Sequence, residues 1–344
     1  MYQIDDIKNT ILCGDALLEL QKIPSASIDA VVTSPPYWNL RDYGVDGQIG
    51  LESTFQEYIN KLCNIFDEIK RVLKKEGTCW VNLGDTYSGN KEGKTGKKVS
   101  DYLKEQTINL HKKIGSIVEK SLCQIPARFA IEMMNRGWIL RNEIIWHKPN
   151  CMPSSASDRF TVDFEKVFFF VKNKKYLFDS DSVREPHGED QRASGLERAR
   201  KLGYDGKGSY QDWYNNQRKK KSFSQHNGMD IISGLRNDND IPVLPHPLGR
   251  SKRTVWSITT KPFKEAHFAT FPEQLVTIPI KAGCPKNGIV LDCFMGAGTT
   301  ALVALKLNRN YVGIELNSDY IKIAEDRLKP YKNTLFNNSV DKKA

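Results

Sequence analysis

The chain has 344 residues, of which 39% are hydrophobic and 10% aromatic, and this composition excludes a disordered protein. Its 51 Lys and Arg residues outnumber its 41 Asp and Glu residues, and the net charge of +10 favours a polyanionic partner. The chain has no run of 18 apolar residues and no signal-peptide pattern, so we expect a cytoplasmic protein without a membrane span.

The cysteines and histidines predict neither disulfide bonds nor a metal site. The seven cysteines contain no Cys-x-x-Cys pair, and the six histidines lack the spacing of metal ligands. We therefore expect mostly buried, reduced cysteines and no bound metal.

Strands and helices are predicted to alternate through most of the chain. Short apolar runs indicate strands near residues 11, 28, 78, 140, 166, 289 and 311. Apolar residues at helical spacing indicate helices over 55–74, 124–136, 272–283, 299–307 and 319–328. Thr54 and Glu57 can form a capping box for the first of these helices. The last dozen residues are polar and are expected to be frayed.

Two stretches interrupt this alternation. Residues 86–120 hold eight lysines against four acidic residues and predict a basic loop. Residues 179–253 are polar and basic, with interleaved aromatic residues and the run Arg218-Lys219-Lys220-Lys221. The pattern as a whole predicts an α/β protein with a doubly wound, seven-stranded, mostly parallel sheet and one basic insertion.

A glycine-rich turn follows the predicted strand that ends at Asp292. Gly296 and Gly298 permit a tight turn and a close approach of the backbone to a ligand. Glu315 ends the next strand, where its carboxylate can accept hydrogen bonds from ribose hydroxyls. The turn therefore predicts a nucleoside ligand. It also fits a dinucleotide fingerprint, but the roughly 50 residues after it are too few for a nicotinamide domain in the usual order.

A second motif, Thr33-Ser34-Pro35-Pro36-Tyr37-Trp38, follows the strand near residue 28. Two consecutive prolines fix the backbone and leave the Pro35 carbonyl as a rigid acceptor. Ser34 adds a second acceptor, and Tyr37 adds a flat aromatic face. Two acceptors beside an aromatic ring suit a planar heterocycle that carries an exocyclic amine.

Together the two motifs resemble those of the DNA amino-methyltransferases, which use S-adenosylmethionine to methylate N4 of cytosine or N6 of adenine. The amine motif precedes the cofactor turn with a basic insertion between them, which is similar to the circularly permuted β group. The resemblance covers about residues 10–178 and 250–330. It implies double-stranded DNA as the substrate and removal of the target base from the duplex.

The resemblance also divides the chain and assigns its residues. It implies a catalytic region at 1–178 and a cofactor-binding region at 254–330, while composition predicts a target-recognition insert at 179–253 and a polar tail at 331–344. Ser34, Pro35, Pro36 and Tyr37 match the catalytic tetrapeptide. The predicted cofactor contacts are Asp15, Phe271, Pro272, Asp292, Phe294, Gly296, Gly298, Thr299, Thr300 and Glu315. The predicted substrate contacts in the matching segments are Trp38, Trp146 and Lys148. The charge of the insert, and not the resemblance, adds Arg218, Lys219, Lys220 and Lys221.

The identity of the methylated base rests on Ser34. Relatives with Ser at this position mostly act on cytosine N4 and those with Asp mostly on adenine N6, so we expect cytosine, with adenine as the alternative. An inactive nucleic-acid-binding protein is the alternative from another class, supported by the net charge of +10. The resemblance also allows a cognate restriction endonuclease as a partner, and a monomer or a homodimer.

Overall fold

The structure, a computed structural model, describes residues 1–40, 42–88, 117–188, 200, 205–207, 209, 212, 246–260 and 271–340, with side chains up to residue 332. The predicted DNA contacts Arg218, Lys219, Lys220 and Lys221 and most of the basic loop at 86–120 lie outside these residues. Contacts divide the chain into two compact units. One comprises Met1–Phe178 with Thr254–Ala344, and the other, Asp179–Arg253, has the bounds of the predicted insert.

Eight strands of the first unit form one sheet. They are β1 (Thr10–Cys13), β2 (Ile28–Thr33), β3 (Leu73–Leu83), β4 (Ile139–His147), β5 (Phe164–Val171), β6 (Val255–Ser257), β7 (Ile289–Asp292) and β8 (Asn310–Glu315). Their order across the sheet is β1-β8-β7-β2-β3-β5-β4-β6. Only β5 runs antiparallel to its neighbours, so the mostly parallel sheet is confirmed. The predicted number of seven strands is wrong, because β6 is a three-residue edge strand that is too short to show periodicity.

Seven α-helices of the described residues accompany the sheet. They are α1 (Ile4–Ile7), α2 (Ala16–Lys22), α3 (Phe55–Val72), α4 (Ile125–Asn135), α5 (Glu273–Gly283), α6 (Thr299–Lys306) and α7 (Ser318–Val340). Thr54 caps α3 at the predicted position, since its side chain accepts a hydrogen bond from the Glu57 backbone, while the Glu57 carboxylate accepts from Ser53 Oγ. Helix α7 continues past residue 328 through Pro330, so its predicted end is wrong. None of the described helices is long and apolar enough to cross a membrane.

The helices cover both faces of the sheet. On one side α3 packs against α2 and α4, and on the other α6 packs against α5 and α7. Strand β5 packs against both helix layers, because its successive side chains point to opposite faces of the sheet. Phe168 and Phe170 join the core formed with Phe129 of α4. Phe169 stacks on Trp80 of β3, on the opposite face, with ring centroids 3.9 Å apart.

Strand β2 lies at the topological switch point of the sheet, where the order of the strands along the chain reverses. From β2 the chain proceeds through α3 to β3 on one side, whereas β7 and β8 lie on the other. Ligands of open α/β sheets bind at the carboxyl ends of strands at such a point. The amine motif and the glycine-rich turn both begin there, one at the end of β2 and the other at the end of β7.

A buried hydrogen-bond cluster joins the ends of these two strands. The Asp292 carboxylate accepts hydrogen bonds from Thr33 Oγ1 and Thr300 Oγ1, each at 2.6 Å, and from the Phe294 backbone at 3.1 Å. Asp292 is 1% exposed, and burial raises its pKa to about 6. Asp292 therefore braces β2, β7 and α6 against one another.

The raised pKa of Asp292 predicts a specific dependence of stability on pH. The folded state holds the proton up to about pH 6, whereas the unfolded chain releases it near pH 4, so the free energy of unfolding should fall by about 3 kcal/mol between these values. The Asp292→Asn variant lacks this group, and its amide can donate to Thr300, whose hydroxyl then turns toward the Val32 carbonyl 3.4 Å away. Urea unfolding should show that, from pH 4 to pH 7, the wild type loses about 3 kcal/mol more of its free energy of unfolding than the Asp292→Asn variant does. Equal losses in both proteins would contradict the assignment.

Candidate active site

A cavity of about 650 Å³ opens at the carboxyl ends of the central strands, and both sequence motifs line it. This volume is in the range typical of small-molecule sites. The amine motif contributes Ser34, Pro35, Pro36 and Tyr37. The end of β7 and the turn after it contribute Cys293, Phe294, Met295, Gly296, Ala297 and Thr299. The structure therefore brings together two motifs that lie more than 250 residues apart in the chain.

Glu315 is anchored at one end of the cavity. Its Oε2 accepts a hydrogen bond from the Gly296 backbone at 2.7 Å, and its Oε1 accepts one from the Asn317 backbone at 2.9 Å. Burial raises the pKa of this carboxyl, and the backbone donors oppose that rise. Each oxygen keeps a further lone pair, so the carboxylate can still accept from two neighbouring hydroxyls.

Aromatic and polar groups surround Glu315. Phe294 follows β7, and Asp15 caps α2 by accepting from the Leu18 backbone at 3.0 Å. Tyr320 of α7 packs edge to face against Tyr43 with ring centroids 6.4 Å apart, and both line the cavity. A carboxylate that can accept hydrogen bonds from hydroxyl groups lies in the same cavity as several aromatic rings. This combination fits a nucleoside, the ligand that the glycine-rich turn predicts.

The two glycines of the turn have different surroundings. Gly296 has φ +51°, lines the cavity, and has no heavy atom within 4 Å of the position that a Cβ would take. Gly298 has φ +77°, and a Cβ there would lie 2.8 Å from the Ala324 Cβ in α7. Gly296 thus leaves space for a ligand, whereas Gly298 lets α7 pack against the start of α6.

The amine motif forms the other end of the cavity. Tyr58 of α3 donates a hydrogen bond to the Pro36 carbonyl at 2.8 Å and so fixes the turn. Within the described part of the chain no donor reaches the Pro35 carbonyl. Pro35 therefore retains the free acceptor that the sequence predicts for it.

A polar network that the sequence does not reveal supports Ser34 and Tyr37. The Tyr37 hydroxyl donates to Glu165 Oε2 at 2.7 Å and lies 3.2 Å from Asn82 Oδ1. Ser34 Oγ lies 3.4 Å from the same Asn82 oxygen. Burial and the Glu165 carboxylate hold the pKa of Tyr37 well above its ordinary value, so this phenol keeps its proton.

Lys148 and Trp146 complete this end of the cavity. The Lys148 ammonium pairs with Glu165 Oε1 and lies 4.4 Å from the centre of the Trp146 ring. The Trp146 indole donates to the Ile258 carbonyl at 2.8 Å, which fixes the ring. Both residues line the cavity, as do Asn82 and Glu165.

Several predicted contacts lie elsewhere. Trp38 is 1% exposed and donates its indole N–H to the Glu52 carbonyl at 3.0 Å, so it is a core residue and the prediction that it binds the substrate is wrong. Asp292, Thr300, Gly298 and Pro272 are absent from the described lining of the cavity, and their role as cofactor contacts stays a prediction. The first three instead brace or pack the turn, and Pro272 precedes α5. Phe271 lines the cavity, and its contact with the cofactor stays a prediction.

The two glycines predict two different phenotypes. Both alanine variants bear the strain of a positive φ, but only Gly298→Ala also forces a Cβ against Ala324. We expect Gly298→Ala to lower the free energy of unfolding by about 1–3 kcal/mol more than Gly296→Ala does. Gly296→Ala should instead weaken ligand binding, because its methyl group enters the cavity. Urea unfolding and calorimetric titration measure the two effects, and a reversed pattern would contradict these roles.

Comparisons with known proteins identify the family of the chain. A family model described as DNA methylase matches residues 28–326. The chain is 37% identical over 321 residues to the Type II methyltransferase M.XycI of Xanthomonas campestris pv. cyanopsidis, covering 93% of this chain and 88% of that protein. It is 38% identical over 320 residues to M.Cfr9I of Citrobacter freundii, covering 93% and 87%.

Solved structures show the same fold. The PvuII DNA methyltransferase, described as cytosine-N4-specific, matches with a TM-score of 0.56 and 18% identity over 92% of this chain and 84% of that one. A candidate DNA modification methylase from Thermus thermophilus, complexed with S-adenosyl-L-methionine, matches with a TM-score of 0.54 and 20% identity over 94% of both chains. From the family match and the sequence relatives, we conclude that the chain belongs to the N4/N6 family of DNA methyltransferases.

Proposed function

We propose that this DNA methyltransferase transfers a methyl group from S-adenosylmethionine to the exocyclic N4 of cytosine in duplex DNA. The observation that carries the proposal is the shared cavity. In it the Pro35 carbonyl, which no donor of the described residues reaches, and the Ser34 hydroxyl lie beside Tyr37, and the glycine-rich turn and Glu315 lie at the other end. Two amine acceptors and a nucleoside site in one cavity suit methyl transfer between the two ligands.

The cofactor half is formed by residues that fit S-adenosylmethionine. Glu315 would hold the ribose hydroxyls, Phe294 would pack against the adenine, and Asp15 would accept from the adenine amine, since all three line the cavity. S-adenosylmethionine supplies an electrophilic methyl group on its sulfonium. Gly296 lets the nucleoside approach the backbone closely, because a side chain at this position would enter the cavity.

At the other end, the residues of the amine motif activate the target base. The lone pair of an exocyclic amine is delocalised into its ring, which makes the nitrogen a poor nucleophile. Ser34 Oγ and the Pro35 carbonyl accept its two N–H groups and favour a pyramidal nitrogen whose lone pair points toward the methyl group. Tyr37 stacks on the base, which enters the cavity from the duplex. No covalent intermediate is required.

Cytosine is proposed as the base because the first acceptor is the neutral Ser34 hydroxyl and not a carboxylate. Adenine, whose exocyclic amine has the same geometry, is the alternative. Digestion of DNA from a host that expresses the protein, followed by mass spectrometry of the nucleosides, distinguishes N4-methylcytosine from N6-methyladenine. We expect N4-methylcytosine, with none in a Ser34→Ala host. Methyladenine alone would overturn the substrate, and the absence of both would overturn the activity.

Sequence recognition is proposed to lie in the insert at 179–253. Its support is the charge of the segment, which carries fourteen Lys and Arg against nine Asp and Glu between residues 184 and 253. The similar proteins M.XycI and M.Cfr9I are Type II methyltransferases, so we also propose a restriction-modification setting with a cognate endonuclease. Either a monomer or a homodimer is compatible with this role.

Replacement of the insert predicts a change of the methylated site. Exchanging residues 179–253 for the corresponding segment of a relative should alter the methylated motif and leave the affinity for S-adenosylmethionine unchanged, because base contacts specify the sequence. The matched control replaces only Lys219, Lys220 and Lys221 by Ala. This variant should bind all duplexes more weakly, with a shallower salt dependence, and keep its motif. An unchanged motif in an active chimera would place recognition elsewhere in the chain.

A further inference from the structure

The orientation of the Asn82 side-chain amide is fixed by its neighbours. Asn82 lies near the end of β3, and its Nδ2 donates to the Lys166 carbonyl at 3.2 Å and to Glu165 Oε2 at 3.0 Å. A backbone carbonyl can only accept a hydrogen bond, so the atom that faces Lys166 must be the nitrogen. The Asn82 oxygen therefore faces the hydroxyls of Ser34 and Tyr37.

This orientation determines what Ser34 can offer to a ligand. A hydroxyl group has one proton to donate and two lone pairs to accept with. With its proton directed at Asn82 Oδ1, Ser34 presents its lone pairs to the cavity. Were the amide reversed, its nitrogen would donate to Ser34, and the Ser34 proton would turn toward the amine of the base. Two donors would then face each other.

We propose that Glu165, acting through Asn82, holds Ser34 as a hydrogen-bond acceptor for the target amine. Glu165 and Asn82 are thus positioning residues in the base half of the cavity. The inference rests on the proposed function, in which the Ser34 lone pairs receive an amine N–H. It applies equally to cytosine and adenine, because both present the same group.

The Glu165→Gln variant tests the inference. Lys148 keeps the glutamine oxygen on its own side, because an ammonium can only donate, and the new NH₂ group then faces the Asn82 nitrogen. Donor opposes donor, so the amide loses its bond to residue 165 and is held in its present orientation by the Lys166 carbonyl alone, which makes the reversed orientation more accessible. We expect kcat for methyl transfer to fall about 100-fold, the scale of one lost preorganised contact, with the calorimetric affinity for S-adenosylmethionine unchanged.

A double variant distinguishes a role of Glu165 in orienting the Asn82 side chain from a role in stabilising the fold. In Glu165→Gln with Asn82→Asp, the aspartate accepts from Ser34 with one oxygen and from the glutamine NH₂ with the other. The acceptor role of Ser34 is thereby restored, although the Lys166 carbonyl loses its donor. We expect kcat of the double variant to exceed that of Glu165→Gln about tenfold. A purely structural role predicts additive losses instead, and a double variant no faster than the single one would overturn the inference.

Glu143→Gln is the matched control. Glu143 lies on the neighbouring strand β4, pairs with Lys166 at 2.6 Å, and is absent from the described lining of the cavity. This variant should keep the wild-type kcat, and urea unfolding of all variants checks that they fold. Unchanged kcat in Glu165→Gln, with an active wild type, would overturn the inference alone. A wild type that transfers no methyl group to DNA would overturn the proposed function itself.

Discussion

The pairing of β2 with β7 is the constraint on which the active site depends. These strands carry the amine motif and the glycine-rich turn, and their pairing places both at one edge of the sheet. The hydrogen bond from Thr33 to Asp292 spans 259 positions of the chain and fixes the relative height of the two strand ends. Thr300 adds the start of α6 to the same carboxylate. The separation of the amine motif and the glycine-rich turn in the cavity is therefore set by buried contacts.

The end of the cavity beside the amine motif is held together by charged and polar groups, whereas the core beneath it is apolar. The Glu165 carboxylate is only 18% exposed, and it receives hydrogen bonds from Lys148, Tyr37 and Asn82. A buried charge is tolerated when several donors replace its water, and removing one donor leaves the others misaligned. The antiparallel pairing of β3 with β5 is what brings Asn82 and Glu165 together. The antiparallel strand β5 thus carries the carboxylate that accepts the hydrogen bond of Asn82 in the cavity.

The sequence predicts the elements better than it predicts the contacts. Apolar periodicity and the capping box located β2 and α3 because both signals are local. Glu165 escaped detection because it lies 128 positions from Tyr37, and only strand pairing joins the two. Trp38 follows the amine motif directly, but its position in the chain does not reveal that the indole turns into the core. The position of Asp292 before the glycine-rich turn predicts a ligand contact, and the sequence does not reveal that three groups of the protein donate hydrogen bonds to its carboxylate.

The order of the strands also has a consequence for biosynthesis. Central strand β2 is made early, but its partner β7 appears only after residue 288 has been added. Until then one edge of β2 exposes unpaired backbone groups, which is a template for aggregation. Contacts of such long sequence separation also slow folding, because much of the chain must be ordered first. The glycine-rich turn and Glu315 line the cavity, and this end of it is therefore completed only after β7 and β8 have been made.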